Sequence, residues 1–70
     1  MISYEPLRIL MVKRKLQKMD IVNMLGISPA TARKLWTDEY VSLKVIDQLC
    51  EVLDCEIQDV VMHVKKRNEQ

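Results

Sequence analysis

The stretch "NMLGISPATARKLW", residues 23–36, constrains the fold more than any other part of the chain, because it holds the only glycine. Ile21, Val22 and Leu25 lie three and four residues apart and so share one face of a helix. Glycine reaches positive φ without a Cβ penalty, and Gly26 stands where such a helix would end. Ser28 can cap a new helix through its hydroxyl, and Pro29 fits the first helical position, where a missing N–H costs nothing. Ala32 and Leu35 fall on the inner face of that second helix. Gly26, Ile27 and Ser28 therefore make a three-residue turn between two short helices, a helix-turn-helix unit spanning about 18–37.

The surroundings must be modest. Seventy residues make one domain, 1–70, with a small core. Only three residues are aromatic (Tyr4, Trp36, Tyr40), so Leu, Ile, Val and Met must fill it. Scarce Gly and Pro favour helices with short connections. No apolar run approaches the roughly 18 residues that span a bilayer, and residues 1–18 lack the pattern of a signal peptide. The expectation is a cytoplasmic chain without a membrane partner.

Periodicity predicts five helices and an all-α fold. Pro6 opens the first, with Leu7, Leu10, Met11 and Arg14 on one face; Lys15, Leu16 and Gln17 connect it to the second, about Lys18 to Leu25. The third runs from Pro29 to about Thr37. After the polar stretch 37–40, Ser42 can cap a fourth helix in which Leu43, Ile46, Leu49, Cys50 and Leu53 recur at the helical interval. Asp54 and Cys55 break that run, and Ile57 to about Val64 forms a short fifth helix. Residues 65–70 are charged and apolar-free, a frayed tail. No internal repeat, linker or strand-like alternation is visible.

The overall charge of +1 conceals an asymmetry. Residues 1–36 carry seven Lys/Arg and two acids, a net +5, whereas residues 37–70 carry a net −4. The positive half contains the helix-turn-helix. A one-sided positive field attracts phosphate and orients a domain on a duplex.

The stretches "DIVNMLGISPATARKL" and "VIDQLCEVLDCEIQDVV" resemble the Cro/cI-type helix-turn-helix family, the lambda-repressor-like domains, over about Leu7 to Met62. The resemblance implies a compact five-helix DNA-binding domain that buries Ile21, Leu25, Ile27, Ala32 and Leu35 between its second and third helices. Two features depart from the family pattern. Val22 stands where alanine is usual and Ala32 where isoleucine or valine is, a swap that conserves volume if the two positions face each other. The loop after the third helix is short, with Asp38 where glycine is common, and Asp tolerates a left-handed turn.

In this architecture the third helix, about 29–37, enters the major groove of double-stranded DNA and presents its first residues to base edges. Those are Pro29, Ala30, Thr31, Arg33 and Lys34. Arg33 is the candidate for a bidentate contact to guanine. Thr31 can bond a phosphate or touch a thymine methyl, and Lys34 suits a phosphate. Pro29 and Ala30 offer bases no side-chain hydrogen bond, though they can pack on thymine methyls. Gln17 and Lys18 begin the second helix, where the helix dipole also attracts an anion. Ser28 could join them, although capping is its first task. Lys13, Arg14 and Lys15 extend the positive surface. Trp36 could reach a phosphate or pack partly buried.

Other constellations are poor. Cys50, Cys55 and His63 do not complete a four-ligand zinc site, and a reduced thiol pair suits the cytosol. No catalytic set can be assembled, no cofactor or small-molecule ligand is indicated, and the expectation is a transcription regulator, not an enzyme. The alternative is a helical protein-interaction module, an antidote or cofactor that does not read DNA. Val60, Val61 and Val64 surround the expected fifth helix more fully than one core stripe requires, which suggests a homodimer interface there, with Ile9 and Val12 on the first helix as a second choice.

Overall fold

The computed structural model describes residues 1–65. Four α-helices follow in order, α1 (Glu5–Lys13), α2 (Lys18–Leu25), α3 (Pro29–Lys34) and α4 (Leu43–Leu53). Two short strands, β1 (Ile2–Ser3) and β2 (Met62–His63), pair antiparallel with Ile2 opposite His63 and Ser3 opposite Met62. The fold is thus mostly helical, with four helices where the periodicity suggested five.

The expected fifth helix is instead a single 3-10 turn, Ile57–Asp59, followed by β2. Local chemistry explains the difference. Asp54 ends α4 in the left-handed region at φ 51°, and the Asp59 carboxylate accepts the Glu56 amide at 3.0 Å to start the turn. Val60 then drops wholly into the core, and its carbonyl accepts the Leu7 amide at 3.3 Å. Val61 and Val64, the β-branched residues on either side of Met62 and His63, suit an extended chain better than a helix. At the far end, the Val64 amide donates to the Met1 carbonyl at 2.8 Å. A two-residue strand is too short to reveal itself as alternation, so β1 left no mark in the pattern.

Helix boundaries follow the capping chemistry. Pro6 sits in the first turn of α1, one position later than expected. The Ser42 hydroxyl accepts the Val45 amide at 3.3 Å and opens α4. Leu43, assigned to the inner stripe, is 78% exposed; the buried stripe is Val45, Ile46, Leu49 and Leu53. α3 stops at Lys34, three residues short of Thr37, because its end tightens into i→i+3 bonds, Leu35 to Ala32 at 3.0 Å and Trp36 to Arg33 at 2.9 Å.

One core draws the four helices together. Leu7 and Met11 from α1, Ile21 and Leu25 from α2, Leu35 after α3, the α4 stripe and Val60 all meet there. Tyr4 belongs to the same cluster and is 2% exposed. α2 packs against α3 and α4, while α1 and α4 pack against the 3-10 turn. No helix among the described residues is long and apolar enough to cross a membrane.

Candidate nucleic-acid interface

The α2–turn–α3 unit is built as its residues dictate. Gly26 caps α2 at φ 66° and donates its amide to the Val22 carbonyl at 2.9 Å. A Cβ built at this position meets nothing within 4 Å, so the backbone conformation alone selects glycine. Ser28 accepts the Thr31 amide on its hydroxyl oxygen at 3.1 Å and donates its own proton to the Thr31 hydroxyl at 3.0 Å. Ser28 is thus engaged twice with Thr31, through the cap and through the hydroxyl pair. Ile21, Ala32 and Leu35 are fully buried and Leu25 nearly so, while Ile27 is half-buried against the same core. Val22 is half-buried at the outer edge of the α2–α3 seam.

At the start of α2 the Asp20 carboxylate accepts the Gln17 amide at 2.7 Å. One of the helix's free N–H groups is thus already occupied by an anion. Attraction for a phosphate at this end rests on Lys18 and on the side-chain amide of Gln17, both exposed. The Lys18 ammonium lies 5.5 Å from the centre of the Trp36 ring, within cation–π range. Trp36 is half-buried against the core, so it serves as a platform under Lys18.

The cations of the basic half divide into two sets. Arg8 points inward: its guanidinium donates to the Leu35 carbonyl at 2.8 Å and to the Asp38 carboxylate at 3.0 Å. Arg14 donates to the Leu53 carbonyl at the end of α4. Lys13, Lys15, Lys18, Arg33 and Lys34 are exposed, and among the described residues none of them is bonded to a carboxylate. Arg33 and Lys34 project from the outer face of α3 beside exposed Pro29 and Ala30. A shallow groove of about 320 Å³ runs between the helices, lined by Lys18, Met19, Val22, Pro29, Ala30 and Arg33.

Asp38 holds the loop after α3, left-handed at φ 56°. Its carboxylate accepts both Arg8 and the Tyr4 amide, the latter at 2.9 Å, and the buried Tyr4 hydroxyl donates to the Glu39 carbonyl at 2.7 Å. The Arg8 hydrogen bond, and then the Tyr4 amide, hold the Asp38 carboxyl below its ordinary range. Burial pushes the Tyr4 phenol up. This clamp of Tyr4, Arg8 and Asp38 fixes the end of α3 from behind. In the sequence Asp38 stands out only for its turn, and Arg8 only as one of the seven cations of the basic half.

Of the residues expected at a dimer contact, Val60 is excluded, since it is fully buried in the core. Val61 is half-buried against the same core, and Val64 is 37% exposed beside β2. Ile9 and Val12 are exposed on α1, as their spacing suggested. Cys50 and Cys55 are free thiols, with burial and then the neighbouring Cys50 raising the Cys55 thiol, which suits an unreactive pair.

Comparison with known proteins agrees with this geometry. The family model for the Cro/C1-type HTH DNA-binding domain matches residues 6–66. The crystal structure of transcriptional regulator VanUg (Form II) superposes with a TM-score of 0.88 at 32% identity, covering 93% of this chain and 87% of that one. No curated protein matches the chain.

Proposed function

The chain belongs to the Cro/C1-type HTH DNA-binding family, and from that premise we propose that it is a sequence-specific transcription regulator whose α3 enters the major groove. The observation that carries this reading is the outward set of cations on α2 and α3. Lys18, Arg33 and Lys34 stand on helices whose opposite faces are locked in the core, and no carboxylate among the described residues neutralises them. In this reading Arg33 contacts a guanine edge. Lys18, Lys34, the Gln17 side chain and the Thr31 hydroxyl meet phosphates, which position the domain without reading sequence. Ser28 acts through its cap, by holding Thr31 in place, and no enzymatic step is involved.

A single α3 with two donor-free positions supplies a thin base code. We therefore include a homodimer in the proposal, reading two half-sites about one helical turn apart. The exposed apolar residues Met62 and Val64 beside the sheet supply one surface for it, and Ile9 and Val12 another. Val64→Glu should yield a folded monomer by sedimentation; a folded dimer would move the contact to α1.

The competing reading, a protein-interaction module that does not touch DNA, draws its support from the exposed Pro29 and Ala30. Duplex binding across a salt series separates the two. Phosphate-driven binding loses affinity with a log–log slope of about −0.9 per neutralised phosphate. Lys18→Ala should make that slope shallower by about one such unit. Absence of duplex binding at low salt would favour the interaction module, and an unchanged slope would remove Lys18 from the contacts.

A further inference from the structure

The groove between α2 and α3 has an apolar lining that the cation assignments leave unused. Its lining is mixed in a specific way: Met19, Val22, Pro29 and Ala30 are apolar, and Lys18 and Arg33 are cationic. Met19 is 58% exposed and Pro29 and Ala30 are exposed beside it, so the apolar part of the lining is open to an occupant. Pro29 has no N–H, and Ala30 has no polar side-chain atom, so this part of α3 cannot read a base by side-chain hydrogen bonds. A second copy paired through its own α2–α3 face is a poor occupant, because that face carries the same positive charge. A polyanion that also presents a small apolar group fits both features of the lining. In the major groove of a duplex the apolar group offered by an ordinary base pair is the C5-methyl of thymine.

We infer that this groove seats the C5-methyl of a thymine adjacent to the guanine contacted by Arg33, with Met19, Val22 and Ala30 closing around it. The inference rests on the DNA-reading proposal above and assigns the sequence preference of the otherwise donor-free start of α3. Lys18, held over Trp36, would place the phosphate beside that thymine. Specificity at this position then comes from burying a methyl, whereas at the guanine it comes from hydrogen bonds.

The test uses the full chain and duplexes recovered by selection from a random-sequence library. Each thymine of a recovered duplex is replaced singly by deoxyuridine, which removes the methyl and nothing else. Affinity should fall about 4-fold at one thymine per half-site, the effect of one buried methyl group. Val22→Ala and Met19→Ala, checked for fold by circular dichroism, should shrink that thymine-to-uracil ratio towards one. Recovered duplexes that bind equally well with uracil at every position would overturn the thymine seat while leaving DNA reading intact. The same holds if both variants keep the full ratio. Indifference to uracil combined with weaker self-association of Met19→Ala would assign the groove to a second copy. Failure to enrich any sequence would overturn DNA reading and the thymine seat together.

Discussion

The two faces of α3 treat positive charge in opposite ways. Behind the helix, Arg8 is spent on the Leu35 carbonyl and the Asp38 carboxylate, and its charge is neutralised within the fold. In front, Arg33 and Lys34 are exposed, and among the described residues they have no acidic partner. Both sets come from the same basic half of the chain, so net charge alone could not separate them. The difference teaches that a count of cations overstates a binding surface. What identifies the surface is which cations the fold leaves without a counter-charge, because a guanidinium already paired with a carboxylate attracts a phosphate less.

The contrast can be broken first at its outer side, where the largest effect is expected. Arg33→Ala should cost roughly 1–3 kcal/mol of affinity for a selected operator and relax the base preference at one position. Its thermal midpoint should stay near that of the parent protein, since exposed substitutions usually fall within about 0.5 kcal/mol. Lys34→Ala should weaken binding to all sequences alike. Equal losses on specific and random duplexes for Arg33→Ala would demote it to a phosphate contact.

The inner side should respond in stability. Arg8→Met removes a charged donor from two acceptors, and about 2 kcal/mol of unfolding free energy should go with it, measured by denaturant titration. Asp38 supplies a pH signature. Its folded pKa lies below the unfolded value of about 3.9, so its contribution is complete above that value and is lost as pH falls through the folded pKa. Acid unfolding of the parent should therefore steepen below about pH 4, and Arg8→Met should flatten that loss. A variant with unaltered stability at neutral pH would mean that Arg8 belongs with the outer set.

The smallest effects belong to the turns, and they sharpen the comparison by touching neither face. Gly26→Ala has room for its methyl but must hold φ 66°, and should lose about 1 kcal/mol. Asp54→Gly should gain up to about 1 kcal/mol, because it relieves a left-handed residue at φ 51° and removes an acid from the C-terminal end of α4. Operator affinity per folded molecule should not change with Asp54→Gly. A loss there would extend the DNA-facing surface beyond α2 and α3.

The legible part of this molecule is its local chemistry. Gly26, Ser28 and Ser42 act within four residues of themselves, and each sits in the cap that its side chain favours. The helices they bound, and the candidate reading residues on α3, follow from that. What stayed hidden depends on partners far along the chain. Tyr4 meets Asp38 and Glu39 at separations of 34 and 35 residues, and Arg8 reaches Asp38 across 30. Nothing near Arg8 in sequence indicates that it turns inward and Arg33 outward. Val60 to Val64 misled for another reason. A short, mostly apolar run reads equally as a helix with apolar residues all round or as a buried residue followed by a strand. Only pairing with residues 2–3 decides it.

The central claim is that DNA lies against the outer faces of α2 and α3 and leaves the clamp behind α3 untouched. Backbone amide resonances of the full chain, followed while a selected duplex is added, address it directly. The account predicts that the largest shifts fall on Gln17, Lys18, Thr31, Arg33 and Lys34, with those of Tyr4, Arg8, Leu49 and Leu53 nearly still. Shifts concentrated on α1 or on the β1–β2 sheet, with α3 unmoved, would contradict it.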